Sequence, residues 1–243
     1  MATKSHTRAI AERRFYSGMA IGMILIVLTG FASSFYLRGL VHYPRPNPTL
    51  PPFVIFHALA FSLWMVLFLV QARLIAAGRR DLHIKLGAAG FAFATALIPL
   101  MYMIAVEQIA RANQPPFTTP LGWMIVPISA IPVFTVLLWQ GIKHRKSAQV
   151  HKRLMLGAAL VMMDPAISRF PIVPPVLGGY AVLGLLSWLT YAPLFWWDRH
   201  TIGKLHWATK LGAGLFGGVL IARTTVLAFP AWWEMIAAQL PGI

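Results

Sequence analysis

Long apolar runs constrain this chain more than any other feature of its sequence. Seven stretches are almost free of charged side chains, and short segments rich in Lys, Arg or Pro separate them. An α-helix needs about 20 apolar residues to cross the roughly 30 Å of hydrocarbon in a bilayer. Only 11% of the residues are charged and 58% are hydrophobic, which leaves too little polar surface for a soluble domain. The sequence therefore predicts an all-α, polytopic membrane protein.

We predict a single domain of seven transmembrane helices over residues 1–243, because no connecting segment is long enough for a separate soluble domain. The first apolar stretch is longer than the apolar region of a typical signal peptide, and no Ala-x-Ala cleavage site follows it. We therefore interpret it as an uncleaved span. The predicted spans cover approximately residues 15–37, 53–76, 84–109, 121–142, 150–170, 176–197 and 205–229.

The basic residues predict the orientation of the chain, because they sort to one side of the predicted spans. Sixteen of the 21 Lys and Arg residues fall on the side of the N-terminus, and Arg223 lies within the last span. The other side holds four: Arg38, Arg45, Arg111 and Arg169. Since loops on the cytoplasmic side carry an excess of Lys and Arg, we expect the N-terminus inside and the C-terminus outside a bacterial inner membrane.

The formal net charge of +15 bears on the partners of the protein. In a soluble protein such a charge suggests nucleic acid, but this chain contains no nucleic-acid-binding motif and its basic residues lie between apolar runs. There they would contact the anionic headgroups of the lipid bilayer. We therefore expect lipid and a small-molecule ligand as partners, and no nucleic acid.

The sequence contains no cysteine, which restricts the chemistry of any functional site. Disulfides, thiolate catalysis, iron–sulfur clusters and cysteine-ligated zinc or haem are excluded. A metal or haem would have to be held by His, Met or carboxylate side chains. The predicted spans do not offer the three neighbouring ligands that a zinc site needs, so we predict no metal-ion site.

Several ionisable residues fall at similar depth in the outer half of the predicted spans, as judged from the helical rise of about 1.5 Å per residue. Such residues are costly in lipid and often mark substrate or proton pathways. They would form one polar cluster: His57, Asp164, Arg169 and Arg223, with Glu107 at its rim. In the alternative interpretation, Asp164 pairs with Arg169 or Arg223 and only stabilises the helix bundle. No catalytic residue can be assigned.

A second pair of candidates lies at the inner ends of two helices that run in the same direction. His83 and His151 would have matching depths and, if their helices adjoin, could ligate one b-type haem from opposite faces. Lys85, Lys152 and Arg153 lie close enough in sequence to meet the haem propionates. The alternative is that both histidines are interfacial anchors beside basic residues.

Two segments resemble the LHRxLG and HRRLM signatures of a broad group of bacterial multi-pass membrane proteins of unknown function. They are residues 79–87 (Arg-Arg-Asp-Leu-His-Ile-Lys-Leu-Gly) and 151–155 (His-Lys-Arg-Leu-Met). The resemblance extends loosely over the rest of the chain, including residues 164–166 (Asp-Pro-Ala) and 198–203 (Asp-Arg-His-Thr-Ile-Gly). It implies a multi-pass membrane protein and brings no catalytic residue with it.

Three functional hypotheses therefore stand side by side. The protein handles protons or a small molecule through the outer cluster, or binds a b-type haem at the inner histidines, or serves as a non-catalytic membrane or assembly component. A homo-oligomer also remains open, because small residues let helices approach closely within one chain or between chains. The sequence has two such GxxxG pairs: Gly18 with Gly22, and Gly214 with Gly218.

Overall fold

The computed structural model of the protein describes residues 2–41, 47–170, 172 and 176–243. Within these ranges the chain is predominantly helical and contains no β-strand, which confirms the predicted all-α class for the described residues. Arg45, which the charge distribution assigns to the outer side, lies outside them.

Eleven α-helices are found in the described residues, and a π-helical turn, Ala32–Tyr36, follows the first of them. Proline occupies the first turn of four of these helices, where its missing N–H is not needed for a helical hydrogen bond. In chain order they are α1 (Ala2–Gly30), α2 (Pro52–Ala76), α3 (Arg80–Arg111), α4 (Pro120–Trp123), α5 (Ile125–Lys143), α6 (Ala148–Val161), α7 (Asp164–Ile167), α8 (Leu177–Leu189), α9 (Ala192–Ile202), α10 (Trp207–Ala228) and α11 (Ala231–Ala237).

Five helical segments are long and apolar enough to cross a membrane. Two of them combine consecutive helices, since α4 continues into α5 and α8 into α9. The segments are Pro52–Ala76, Arg80–Arg111, Pro120–Lys143, Gly178–Ile202 and Trp207–Ala228. They correspond to five of the seven predicted spans and indicate a multi-pass membrane protein. The predicted spans 15–37 and 150–170 are not among them.

The interruption between α6 and α7 has a local chemical cause. Pro165 has no N–H to donate to the carbonyl of Val161, so the helical hydrogen-bond ladder stops there and a turn intervenes before Asp164. The end of α1 packs on the short helix α7 that results. A methyl group added to Gly30 would collide with the backbone of Ala166. The two helices therefore meet backbone to backbone, as small residues in membrane helices allow.

The glycines that bring helices together differ from the two predicted GxxxG pairs. A methyl group added at any of those four positions would meet no neighbouring atom within 4 Å: Gly18, Gly22, Gly214 and Gly218. Gly157 of α6 and Gly212 of α10 instead accommodate the fully buried ring of Tyr191. Its hydroxyl donates to the carbonyl of Gly157 at 3.3 Å. Packing of the GxxxG pairs within this chain is therefore not observed.

The centre of the bundle consists of α5, α6 and α10, which pack against one another. Many of their apolar side chains are fully buried where these helices meet. Among the largest are Phe134, Leu137, Leu154, Leu160 and Phe216. Two arginines of these helices are also fully buried, and their ion pairs are described below.

One end of the bundle carries most of the basic residues, and we call it the basic end. It comprises the connections at residues 77–79, 144–147 and 203–206 together with the N-terminal half of α1. Arg13 donates to the carbonyl of Ala76 at 3.3 Å, and Arg8 donates to the carbonyl of Thr201 at 2.9 Å. These bonds place the N-terminal half of α1 beside the ends of α2 and α9.

The opposite end contains the proline-rich connections, and we call it the proline-rich end. Asn113 donates to the carbonyl of Asn47, and the backbone N–H of Asn47 donates to the side chain of Asn113, both at 2.9 Å. The indole of Trp233 on α11 donates to the carbonyl of Leu121 at 2.9 Å. The C-terminal helix thus covers the start of α4.

Candidate functional site

The two histidines predicted at the inner end are neighbours in the structure. The ring centroids of His83, on α3, and His151, on α6, lie 6.2 Å apart, and the ring planes are nearly perpendicular at 84°. Helix α5 packs against both α3 and α6, so the two rings meet beside its end. Both side chains are half-buried. The two rings thus adjoin at the basic end, although their helices pack mainly against α5 and not against each other.

The protonation state of His151 follows from its hydrogen bond. Its Nδ1 lies 2.8 Å from the carbonyl oxygen of Gly141 on α5. A carbonyl oxygen can only accept, so Nδ1 carries the proton and Nε2 keeps its lone pair. A neutral histidine held in this way by a backbone carbonyl is the form that ligates a metal. Gly141 also leaves room for the side chain of Met155 on α6, because a methyl group at Gly141 would lie 2.7 Å from its sulfur.

His83 also has a partner at Nδ1, the side-chain amide of Gln71 on α2. In the amide orientation that satisfies all neighbours, its nitrogen lies 2.5 Å from Nδ1 and its oxygen accepts from the N–H of Gly87 at 2.9 Å. The opposite orientation presents the amide oxygen to Nδ1, which then carries the proton and leaves Nε2 with its lone pair. Rotation of the Gln71 amide therefore selects between the two neutral forms of His83.

The described residues bring two imidazoles together at this position. Among the described residues, no group of three or more His, Cys, Asp or Glu side chains is placed to hold a metal ion. A protein-bound zinc ion takes three or four protein ligands, so the pair is incomplete for a bare ion. Haem supplies four nitrogens of its own and needs only two axial ligands from the protein.

The basic residues beside the histidine pair differ in whether their charges are already paired within the protein. Lys152 forms an ion pair with Glu12 of α1 and lies over the ring of Tyr16, 5.0 Å from its centroid. Burial raises the pKa of Glu12, but the hydrogen bond and charge of Lys152 outweigh it and hold that pKa below its ordinary value. Lys85 is exposed. Of the predicted propionate partners, Lys85 is therefore the one that faces solvent.

Arg153, the third predicted propionate partner, is fully committed to a buried ion pair. Its Nε and Nη2 donate to Oδ1 of Asp198 at 2.8 and 2.6 Å, and its Nη1 donates to the carbonyl and side chain of Gln149. The other oxygen of Asp198 accepts from the N–H of His206 at 2.9 Å and from the hydroxyl of Thr209 at 2.6 Å. This network joins α6, α9 and α10, and we interpret it as structural.

The predicted outer cluster is only partly assembled. Arg223 of α10 and Asp164 of α7 form an ion pair, with 2.7 Å between Nη1 and Oδ2, and both side chains are buried. The Nε of Arg223 donates to the hydroxyl of Ser129 on α5 at 2.7 Å. The pair thus bridges three helices, as in the stabilising interpretation of these residues.

One part of this outer ion pair is left unsatisfied within the described residues. Oδ1 of Asp164 is buried and accepts no hydrogen bond, and the hydroxyl of Tyr180 is buried without a hydrogen bond of normal geometry. Tyr180 lies close enough to Asp164 and Arg223 to interact electrostatically with both. Buried polar atoms without partners are rare, and each commonly marks a bound water or a functional group.

The other predicted members of the cluster make contacts of their own. The ring of His57 packs against that of Phe61, with centroids 4.6 Å apart and planes tilted by 38°, and its buried Nδ1 has no hydrogen-bond partner among the described residues. Arg169 lies over the ring of Phe31 at 4.4 Å, donates to the carbonyl of Pro165, and is close enough for its charge to act on His57. Glu107 forms no hydrogen bond or ion pair with this cluster in the described part of the chain.

Four residues that sequence reasoning overlooked complete these sites: Gln71, Ser129, Gly141 and Tyr180. Gln71 carried a usable signal, because it is a polar side chain within a long apolar helix. Gly141 contributes only its backbone carbonyl, so no pattern of side chains could have identified it.

Comparison with protein-family models, with curated proteins and with solved structures finds no match to this chain. Its function must therefore be argued from the geometry of its own residues.

Proposed function

We propose that this protein is a membrane haem protein in which His83 and His151 hold one b-type haem near the basic end of the bundle. The observation that carries the proposal is the distance of 6.2 Å between the two ring centroids. A metal bound between two imidazoles, about 2 Å from each nitrogen, separates the ring centroids by about 6 Å. This spacing, between residues 68 positions apart in the chain, supports ligation of one metal by both imidazoles.

One hydrogen bond at the pair supports the same proposal, because the carbonyl of Gly141 holds His151 in the ligating form. At His83, ligation through Nε2 would require the Gln71 amide to turn its oxygen to Nδ1, away from the orientation that satisfies its other neighbours. Such outer partners orient metal-bound histidines. A haem held by two histidines supplies one-electron redox chemistry. The residues of the chain would contribute ligation, orientation and, through exposed Lys85, a positive charge for a propionate.

The proposal includes the position of the protein in the membrane. We infer seven crossings of a bacterial inner membrane, with the N-terminus in the cytoplasm and the C-terminus outside. The segment from Phe15 to Leu37 would supply the first crossing, and α6 with α7 the fifth. The concentration of Lys and Arg at the basic end supports this orientation, because such residues are retained on the cytoplasmic side. The histidine pair would then lie near the cytoplasmic surface.

An absorption spectrum tests the haem proposal directly. The protein is purified in mild detergent from cells supplied with a haem precursor, and spectra are recorded after oxidation in air and reduction with dithionite. We expect a sharp reduced α-band and about one b-type haem per chain in the pyridine haemochrome assay. Elemental analysis of the same sample for iron, copper and zinc serves as the control for a bare ion. A colourless protein from haem-replete cells would refute the proposal.

A second candidate function is proton or small-molecule handling at the outer ion pair of Asp164 and Arg223. The buried Oδ1 of Asp164, which lacks a hydrogen-bond partner in the described chain, favours it. A carboxylate oxygen in this position can accept a hydrogen bond from a water or a polar ligand. Tyr180 would share that ligand, and His57 with Arg169 would lie along its route. If neither function is found, the third hypothesis, a non-catalytic membrane component, stands.

Asp164→Asn tests the second candidate. We expect proton flux into proteoliposomes, followed with an enclosed pH-sensitive dye, to decrease to the level of protein-free liposomes, because the amide cannot take up a proton. The matched control is Ser129→Ala, which removes another partner of Arg223 but keeps the carboxylate. Circular dichroism checks that both variants fold. Equal flux in wild type and Asp164→Asn, or equal loss in both variants, would contradict a proton role for Asp164.

A further inference from the structure

A cavity of about 610 Å³ lies at the basic end, between α1 and α9, and none of its lining residues belongs to either candidate site. It is open on one side, and residues of these two helices form its walls. They are Thr7, Arg8, Ala11, Trp196, Trp197, His200 and Thr201. Its volume exceeds that of a few water molecules and is large enough for a polar headgroup with the start of its chains.

The aromatic side of the cavity is rigid. The rings of Trp196 and His200 stack in parallel, 5.2 Å apart with an interplanar angle of 6°. Trp197 is buried and stacks on Phe15 of α1 at 4.5 Å, which joins the two helices behind the cavity. Trp196 is 60% exposed at the end of a segment that is long and apolar enough to cross a membrane. Tryptophan at such a position lies at the level of lipid headgroups.

The charged side of the cavity is cationic. Arg8 uses one of its five N–H donors for the carbonyl of Thr201, at 2.9 Å, which holds the guanidinium at the opening. No carboxylate is among the lining residues. The two nearest in sequence are engaged elsewhere, since Glu12 pairs with Lys152 and Asp198 pairs with Arg153. An anion entering the cavity would therefore meet donors and no opposing negative charge.

We propose that this cavity binds the phosphate headgroup of an anionic phospholipid from the leaflet at the basic end. The remaining donors of Arg8 contact the phosphate, and His200 flanks it. The exposed face of Trp196 lies along the glycerol and the first carbons of an acyl chain, because indole is suited to the boundary between polar and apolar regions. The site does not depend on the function proposed above.

Lipid retention measured by native mass spectrometry tests the proposal. The detergent-solubilised protein is equilibrated with equal amounts of phosphatidylglycerol and phosphatidylcholine, and the retained lipids are counted. We expect a preference for phosphatidylglycerol that decreases about five-fold in Arg8→Gln, the usual effect of one basic residue near an anionic lipid. The matched control is Arg14→Gln, which removes an exposed charge from the same helix outside the cavity. It should retain the wild-type preference.

Additional measurements distinguish a lipid site from diffuse surface charge and from a site for a free anion. An equal decrease in both variants would show diffuse surface charge and overturn the proposal, as would the absence of any preference in wild type. If inorganic phosphate displaced the lipid and bound with an affinity similar to that of phosphatidylglycerol, the cavity would be a site for the free ion instead. Phosphatidylglycerol with brominated acyl chains should quench the fluorescence of wild type more than that of Trp196→Phe. Equal quenching would place the lipid away from the cavity.

Discussion

On the haem ligation proposed above, replacing His83 or His151 by alanine is expected to lower the haem content of the purified protein by at least about tenfold. Each substitution deletes one of the two proposed ligands, and the described part of the chain offers no third histidine or carboxylate beside them. Both side chains are half-buried at the end of the bundle, so the helices themselves should remain folded. The loss should be seen in the reduced α-band and in the pyridine haemochrome.

The control for this prediction is His144→Ala. His144 also lies at the basic end and also bonds a backbone carbonyl through Nδ1, that of Gln140 at 2.9 Å, but its ring meets that of Trp207 edge to face instead of facing another histidine. Its loss should leave the haem content unchanged. A haem content that survives both His83→Ala and His151→Ala would place the ligands elsewhere in the chain.

The largest loss of stability is expected for Asp198→Asn. Asp198 is fully buried and accepts four hydrogen bonds, two from Arg153 and one each from His206 and Thr209. Neutralising it leaves the charge of Arg153 buried without a counter-charge, which typically costs about 3–5 kcal/mol. The free energy of unfolding should fall by that amount in a denaturant titration of the protein in mild detergent.

The same substitution at an exposed ion pair provides the comparison. Asp81 pairs with Arg79 at 3.5 Å, and both side chains are more than half exposed. Asp81→Asn should leave the free energy of unfolding unchanged, since exposed pairs contribute little. If Asp198→Asn also left the free energy of unfolding unchanged, Arg153 would have to find another buried acceptor. The interpretation of this network as structural would then be wrong.

How far the candidate sites could be predicted depends on the kind of contact involved. His83 and His151 were identified because each stands at the start of a helix beside basic residues, and helices in the same direction bring such positions to the same depth. The pairing of Asp164 with Arg223 was one of two pairings that depth allowed. The depth of a residue along a helix can be obtained from the sequence by counting residues. The neighbour that its side chain faces in the bundle cannot.

The two buried networks and the glycine contacts illustrate the same limit. Arg153 was predicted to meet a haem propionate because it follows His151 closely in sequence, yet it turns inward to Asp198, 45 positions away. The GxxxG pairs looked like helix contacts, yet the close approaches occur at Gly30, Gly157 and Gly212. Each of these contacts depends on which helices are neighbours in the bundle, and local sequence patterns do not specify those neighbours.

The sequence by itself determined the all-helical class, the apolar segments suited to a membrane and the two sets of ionisable residues at opposite ends. It could do so because hydrocarbon demands helices of a certain length and makes charge costly, and both constraints act on consecutive residues. Only the tertiary structure decided that the rings of His83 and His151 are neighbours beside Gly141. It also decided that Arg223 forms its ion pair with Asp164 and that α1 and α9 enclose a cavity. These arrangements follow from side-chain packing among distant helices, where many weak contacts select one neighbour over another.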